Sequence, residues 1–145
     1  MCCNLIKAWP LAQTGICPLT PPDTTILYAE DEIIIALDTQ QLLADLGYVQ
    51  VTLVHNLRRA VAATEAQTFD IALLDVNLGG GETTIELGRR LRDTGVRVVF
   101  ATGYNSSEME AEHPDLIFVE KPLTAPSIAQ ALARSLPQRG ADGSP

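Results

Sequence analysis

Four short apolar runs in this sequence each stop at residues that carry chemistry. Thr25–Ala29 is followed by Glu30 and Asp31, and Ile71–Leu74 by Asp75, with Asn77 two residues on. Val96–Ala101 is followed by Thr102 and Gly103, and Leu116–Val119 by Glu120, Lys121 and Pro122. Three carboxylates brought to one spot repel one another and take up protons unless a cation neutralises them. Oxygen donors with room for water suit Mg2+ (or Mn2+), a hard ion held by one or two carboxylates and then by phosphate oxygens. Lys121 is the sole lysine between residues 23 and 136. Its ammonium and the Thr102 hydroxyl beside a carboxylate form a cradle for an anion, most naturally a phosphoryl group. Each position alone is ordinary: an Asp after a strand caps a turn, and Thr-Gly and Lys-Pro (the latter trans or cis) are common turn pairs. Their conjunction at four strand ends carries the reading.

These residues meet only if the runs are strands of one sheet. Thr25–Ala29, Val49–Val54, Ile71–Leu74, Val96–Ala101 and Leu116–Val119 read as five strands. Between them lie helical segments. The first runs to Leu46 and is closed by Gly47. Asn56–Gln67 follows, with Asn56 as N-cap. Thr83–Thr94 is closed by Gly95, Asn105–His113 is a short acidic helix, and Ala125–Leu136 is the last. Continuous apolar strands have both sheet faces covered, which predicts an α/β fold with a doubly wound parallel sheet, (βα)5. In the order 2-1-3-4-5, strands one and three are neighbours at the switch point where such sheets bind ligands. That order gathers Glu30, Asp31 and Asp75. At 100° per residue, Ile35, Thr39, Leu42 and Leu46 form the core side of the first helix, with Ile33, Leu37 and Ala44 turned away.

With these motifs placed, the sequence resembles the receiver domains of two-component response regulators. The resemblance rests on I-L-Y-A-E-D-E, I-A-L-L-D-V-N-L, V-V-F-A-T-G-Y and F-V-E-K-P-L. The third is similar to the motif of an alphaproteobacterial subgroup of single-domain regulators, here Phe100–Tyr104. The resemblance implies a flavodoxin-like fold and a phosphoryl group accepted by Asp75 from a sensor histidine kinase, here of the HWE type. It implies Mg2+ on Asp31, Asp75 and the Asn77 carbonyl, with Glu30 acting through water. Thr102 and Lys121 would bind the phosphoryl oxygens. Phe118 takes the place of an aromatic switch residue and lacks the hydroxyl of the commoner Tyr. Tyr104, with Asn77, would modulate attack by water on the phosphorylated state. Any catalysis would be limited to the protein's own phosphorylation and dephosphorylation. A small aspartate-nucleophile phosphatase is a rival, but it wants a second acid where Asn77 stands. A flavodoxin-like flavin-binding module is another, but Glu30 and Asp31 would repel a phosphate after strand one.

Composition bounds the rest. The chain has 145 residues, of which 46% are hydrophobic and 19% charged, with net charge −8. That is one domain's worth, too apolar for a disordered chain and without an apolar run of ~18 residues to span a membrane. The acidic balance argues against direct nucleic-acid binding. Prolines crowd both ends, so residues 1–22 read as an irregular extension, 23–136 as the domain and 137–145 as a flexible tail. Cys2, Cys3 and Cys17 all lie in the extension, which also lacks a secretory pattern, so a cytoplasmic setting is expected. The domain leaves no room for an output module, and function would run through protein contacts, as a phosphate sink, a relay or a regulator of a kinase. Gly79-Gly80-Gly81 lacks a P-loop's Gly-Lys-Ser/Thr ending and reads as a flexible loop. The exposed apolar residues Ile33 and Leu37 read equally as scattered surface or as a contact with another chain, a second copy included, or with the extension. Glu108, Glu110, Glu112 and Asp115 read as a solvated face, in a region where the resemblance implies partner contacts. Arg89, Arg90, Arg92 and Arg97 read as a solvated face that could instead pair with acidic groups.

Overall fold

The computed structural model describes residues 21–103 and 105–136. Five parallel strands, β1 (Thr25–Ala29), β2 (Gln50–Val54), β3 (Ile71–Asp75), β4 (Arg97–Thr102) and β5 (Phe118–Glu120), form one sheet in the order β2-β1-β3-β4-β5. The helices are α1 (Ile33–Asp45), α2 (Leu57–Ala66), α3 (Ile85–Asp93), α4 (Ser106–Glu112) and α5 (Ala125–Arg134). This is the predicted doubly wound α/β fold, and β1 and β3 are neighbours in register from Ile26↔Ile71 to Ala29↔Leu74.

The period of two along each strand divides the core into two layers. Leu27 and Ala29 of β1, Ala72 and Leu74 of β3, and Val98 and Phe100 of β4 face α2, α3 and α4. Ile26 and Tyr28, Ile71 and Leu73, and Val99 and Ala101 face α1 and α5. Every residue of β3 is buried, as a central strand covered on both faces requires.

Local signals end the elements where chemistry dictates. The Asn56 side chain accepts from Arg59 N at 2.8 Å and starts α2. Thr124 and Ser127 cap α5 reciprocally. Gly47 (φ 100°) and Gly95 (φ 104°) take the left-handed conformation just past α1 and α3, which other residues adopt at a cost.

Three expectations shift. The fully buried stripe of α1 is Ala36, Thr39 and Leu43, while Ile35, Leu42 and Leu46 are half-buried at its margin. Its opening turn is apolar nearly all round, so periodicity placed the stripe a residue off. Ile33, Leu37 and Ala44 do face outward. Helix α3 begins at Ile85 and not Thr83, because Thr83 pairs with Asn77 as an antiparallel bridge and Thr84 N donates to Val76 O at 3.0 Å. The arginines are not all solvated. Arg89 and Arg92 of α3 each reach Asp115 at 2.6 Å, and Arg89 also donates to His113 Nδ1 at 2.9 Å. Arg97 is half-buried, donating to Leu132 O at 2.8 Å and Ser135 Oγ at 3.2 Å, which ties the end of α5 to the start of β4. The proposed extension and tail lie largely outside the described residues. Pro21–Asp23 form a 3-10 turn, and Pro22 O accepts from Gln50 Nε2 at 2.7 Å.

Candidate functional site

The carboxyl ends of the strands carry Glu30, Asp31, Asp75, Thr102 and Lys121. Glu30 N donates to Val54 O at 3.0 Å, which continues the β1–β2 pairing and fixes where the acidic pair begins. Asp75 closes β3, and the next residue stays in the sheet through Val76 N to Ala101 O at 2.9 Å. Lys121 N donates to Thr102 O at 2.8 Å, so the phosphoryl-cradle candidates of β4 and β5 are locked side by side.

Carboxylate oxygens of Glu30, Asp31 and Asp75 lie within 4.8 Å of one another. Glu30 and Asp75 are buried, and Asp31 is exposed at the mouth. Lys121 Nζ bridges two of them, at 2.7 Å from Asp75 Oδ2 and 3.0 Å from Glu30 Oε1. Asp75 Oδ1 accepts from Asn77 N at 3.2 Å. Burial pushes the Glu30 carboxyl up to about 7 against the pull of Lys121. Burial acts against the Lys121 ammonium too, yet hydrogen bonds to Asp75 and Glu30 more than offset it and hold its pKa above the ordinary value. Three carboxylates against one ammonium leave the cluster short of positive charge. The donor set is all oxygen, hard and open on the Asp31 side, so it fits Mg2+.

Thr102 is buried at the end of β4, while Asn77 is exposed. The Lys121–Pro122 peptide is cis. Phe118 is buried, its ring stacked on Phe100 with centroids 5.4 Å apart. It lies across the sheet in register with Phe100 and so belongs to the α2–α4 layer. Tyr104 falls outside the described residues. Ile33 and Leu37, at 56% and 58% exposure, stand with Ile34 at 73% as an apolar patch beginning three residues after Glu30.

One positioning residue escaped the sequence reading. Thr84 is fully buried, and its hydroxyl donates to the Asp75 carbonyl at 2.8 Å. It pins the loop of Gly79, Gly80 and Gly81, all at positive φ, to the strand that carries Asp75. The sequence placed Thr84 inside a helix beginning at Thr83, where a threonine gives no signal of this role.

The site has no second acid two residues after Asp75 and no phosphate loop after β1, so neither rival class is supported. Fold and site together define a receiver. The family model of the response regulator receiver domain matches residues 26–133. The chain belongs to this family, and its role is in phosphorelay signalling. The phyllosphere-induced regulator PhyR of Methylorubrum extorquens is 28% identical over 116 residues, 78% of this chain. The match spans 43% of PhyR's length. The solution structure of SdrG from Sphingomonas melonis is 35% identical, covering 79% of this chain and 97% of SdrG, with TM-score 0.68. A response regulator receiver protein from Sinorhizobium medicae is 28% identical, covering 80% and 96%, with TM-score 0.69. No helix among the described residues is long and apolar enough to cross a membrane.

Proposed function

We propose that Asp75 is the phosphoacceptor, taking a phosphoryl group from a phosphohistidine of a sensor histidine kinase, an HWE-type kinase in our reading. The observation that carries this is the Asp75 carboxylate itself. It is buried at the end of a central strand, held by Lys121 Nζ and Asn77 N, and shares its space with Glu30 and Asp31. A carboxylate oxygen of Asp75 attacks phosphorus, the P–N bond breaks with its electron pair staying on the imidazole, and an acyl phosphate forms. Asp31, Asp75 and the Asn77 carbonyl would hold Mg2+, with Glu30 reached through water. Bound there, the ion would neutralise charge on the phosphoryl oxygens. Lys121 exchanges its bond to the Asp75 carboxylate for one to a phosphoryl oxygen, and the Thr102 hydroxyl donates to another. These exchanges bias a two-state equilibrium that reaches Phe118 through β4 and β5. Phe118 responds through packing alone, since its ring carries no hydroxyl.

Function then runs through protein contacts, with Ile33 and Leu37 as part of a contact surface. A cytoplasmic setting belongs to the same proposal. SdrG, 35% identical, has a structure described as a BeF3-activated conformation, which supports use of that probe here. The test is incubation with acetyl phosphate and Mg2+, read by intact mass. One phosphoryl group is gained by the wild type and none by Asp75→Asn. A wild type that neither gains mass nor turns over acetyl phosphate sinks the proposal. Tyr104 and Asn77 set the lifetime of the phosphorylated state in this reading, so Tyr104→Ala changes the dephosphorylation rate. An unchanged rate removes that role.

A further inference from the structure

Tyr28 lies two residues before Glu30 on β1, and the phosphoryl transfer proposed above does not use it. Its side chain is fully buried in the layer under α1 and α5. Its hydroxyl has no hydrogen-bond partner among the described residues, and it faces the Thr39 side chain of α1 and the Glu30 carboxyl. Glu30 Oε1 is paired with Lys121 Nζ at 3.0 Å and keeps lone-pair capacity for a further donor. The other oxygen, Oε2, accepts from Glu32 N at 3.3 Å. A buried donor without a partner thus stands two residues before a buried carboxylate that can accept one more hydrogen bond. Buried polar groups are seldom left in that state.

We infer that Tyr28 is a positioning residue for the cation site, its hydroxyl donating to Glu30 directly or through one buried water and so orienting that carboxylate toward the site. The inference rests on the phosphoacceptor reading. Carboxylate chemistry sets its sense: an ionised Glu30 can only accept, so the phenol proton points to it. The phenol oxygen is then free to accept from Thr39, whose hydroxyl is buried beside it. A relay Thr39→Tyr28→Glu30 runs from α1 to the mouth of the site. Groups that orient the ligands of a metal act on its affinity without touching it. A Phe at this position fills the same space and supplies no proton.

The experiment is a calorimetric Mg2+ titration of the full chain at pH 7.5, paired with thermal melts in a chelator. Tyr28→Phe is expected to weaken Mg2+ binding about tenfold with an unchanged circular dichroism spectrum. It is also expected to lower the metal-free melting point, because it removes one hydrogen bond to the buried Glu30 carboxylate. Thr39→Val is expected to weaken binding in the same direction by about twofold to threefold. Wild-type Mg2+ affinity in Tyr28→Phe overturns the inference, and a raised metal-free melting point with it would mark the hydroxyl as an isolated orphan. If Tyr28→Phe does not fold, Thr39→Val decides, and unchanged affinity there overturns the inference. A wild type with no Mg2+ binding and no mass gain from acetyl phosphate fails at the level of the phosphoacceptor reading itself.

Discussion

A carboxyl held at about 7 in the fold and near 4.5 in the unfolded chain makes Glu30 a group that works against stability at neutral pH. Because its folded-state pKa is raised, the folded state holds the proton more tightly. Stability from this group is fully present below about 4.5 and falls as pH rises through about 7. The metal-free protein should therefore lose melting temperature across that window, and Mg2+ should restore it at the upper end. Glu30→Gln should raise the metal-free melting point at pH 7.5 by about 3 °C or more and flatten the pH slope. Scanning calorimetry in a chelator checks this, and a lower melting point in the variant would show that loss of the Lys121 pair outweighs relief of burial. The cost fits a site arranged for a charge it does not itself supply.

At the scale of elements, β3 and the residue before α3 hold Asp75 in place. Thr84→Val keeps the volume of the side chain but strands the Asp75 carbonyl that its hydroxyl now satisfies. The expected loss is about 1–2 kcal/mol of unfolding free energy, with slower phosphorylation by acetyl phosphate. Gly88 shows why α3 can approach the sheet. A Cβ there would collide with the Phe100 ring, which is itself buried and stacked on Phe118. Replacing a helical Gly by Ala ordinarily gains about 0.5–1 kcal/mol, but overpacking costs about 1–3 kcal/mol. The clash wins, so Gly88→Ala should unfold at lower urea concentration, with a reduced midpoint and an unchanged slope. A stabilised variant would mean that the Phe100 ring yields freely and that packing does not hold α3 at this distance.

Across the whole molecule, two helical layers on one sheet place the acidic site at the carboxyl ends of the strands, while the Arg89–Asp115–Arg92 network joins α3 to the segment entering β5. The Arg92 hydrogen bond, then Arg89, holds Asp115 down at about 2. This depressed carboxyl adds stability above about 4 that is lost as pH falls through about 2. The pair is largely exposed, so Asp115→Asn should cost less than about 1 kcal/mol at pH 7 and still less at high salt. Ile33, Ile34 and Leu37 form an open apolar patch a few residues after Glu30. Sedimentation of Leu37→Glu separates its two readings. Unchanged mass and stability mark a plain surface, whereas a fall from dimer to monomer marks a contact between copies.

How much was legible beforehand depends on the range of the physics involved. Strand and helix identities, the N-cap at Asn56, the glycines at 47 and 95, and the four chemical strand ends follow from local rules: side-chain periodicity, backbone φ and turn preference. The sequence by itself thus determined the fold class and named Glu30, Asp31, Asp75, Thr102 and Lys121. It also implied their convergence, because a parallel sheet with β1 beside β3 admits few arrangements. Contacts between residues far apart in the chain lay beyond it. Lys121 bridging Asp75 and Glu30, Arg89 and Arg92 meeting at Asp115, and Gly88 making room for Phe100 depend on distances that appear only when helices settle onto the sheet. Thr84 reads as an ordinary helix residue until the loop folds back and its hydroxyl finds the Asp75 carbonyl. The pKa of Glu30 is likewise a property of burial, which depends on the finished packing and not on the residue alone.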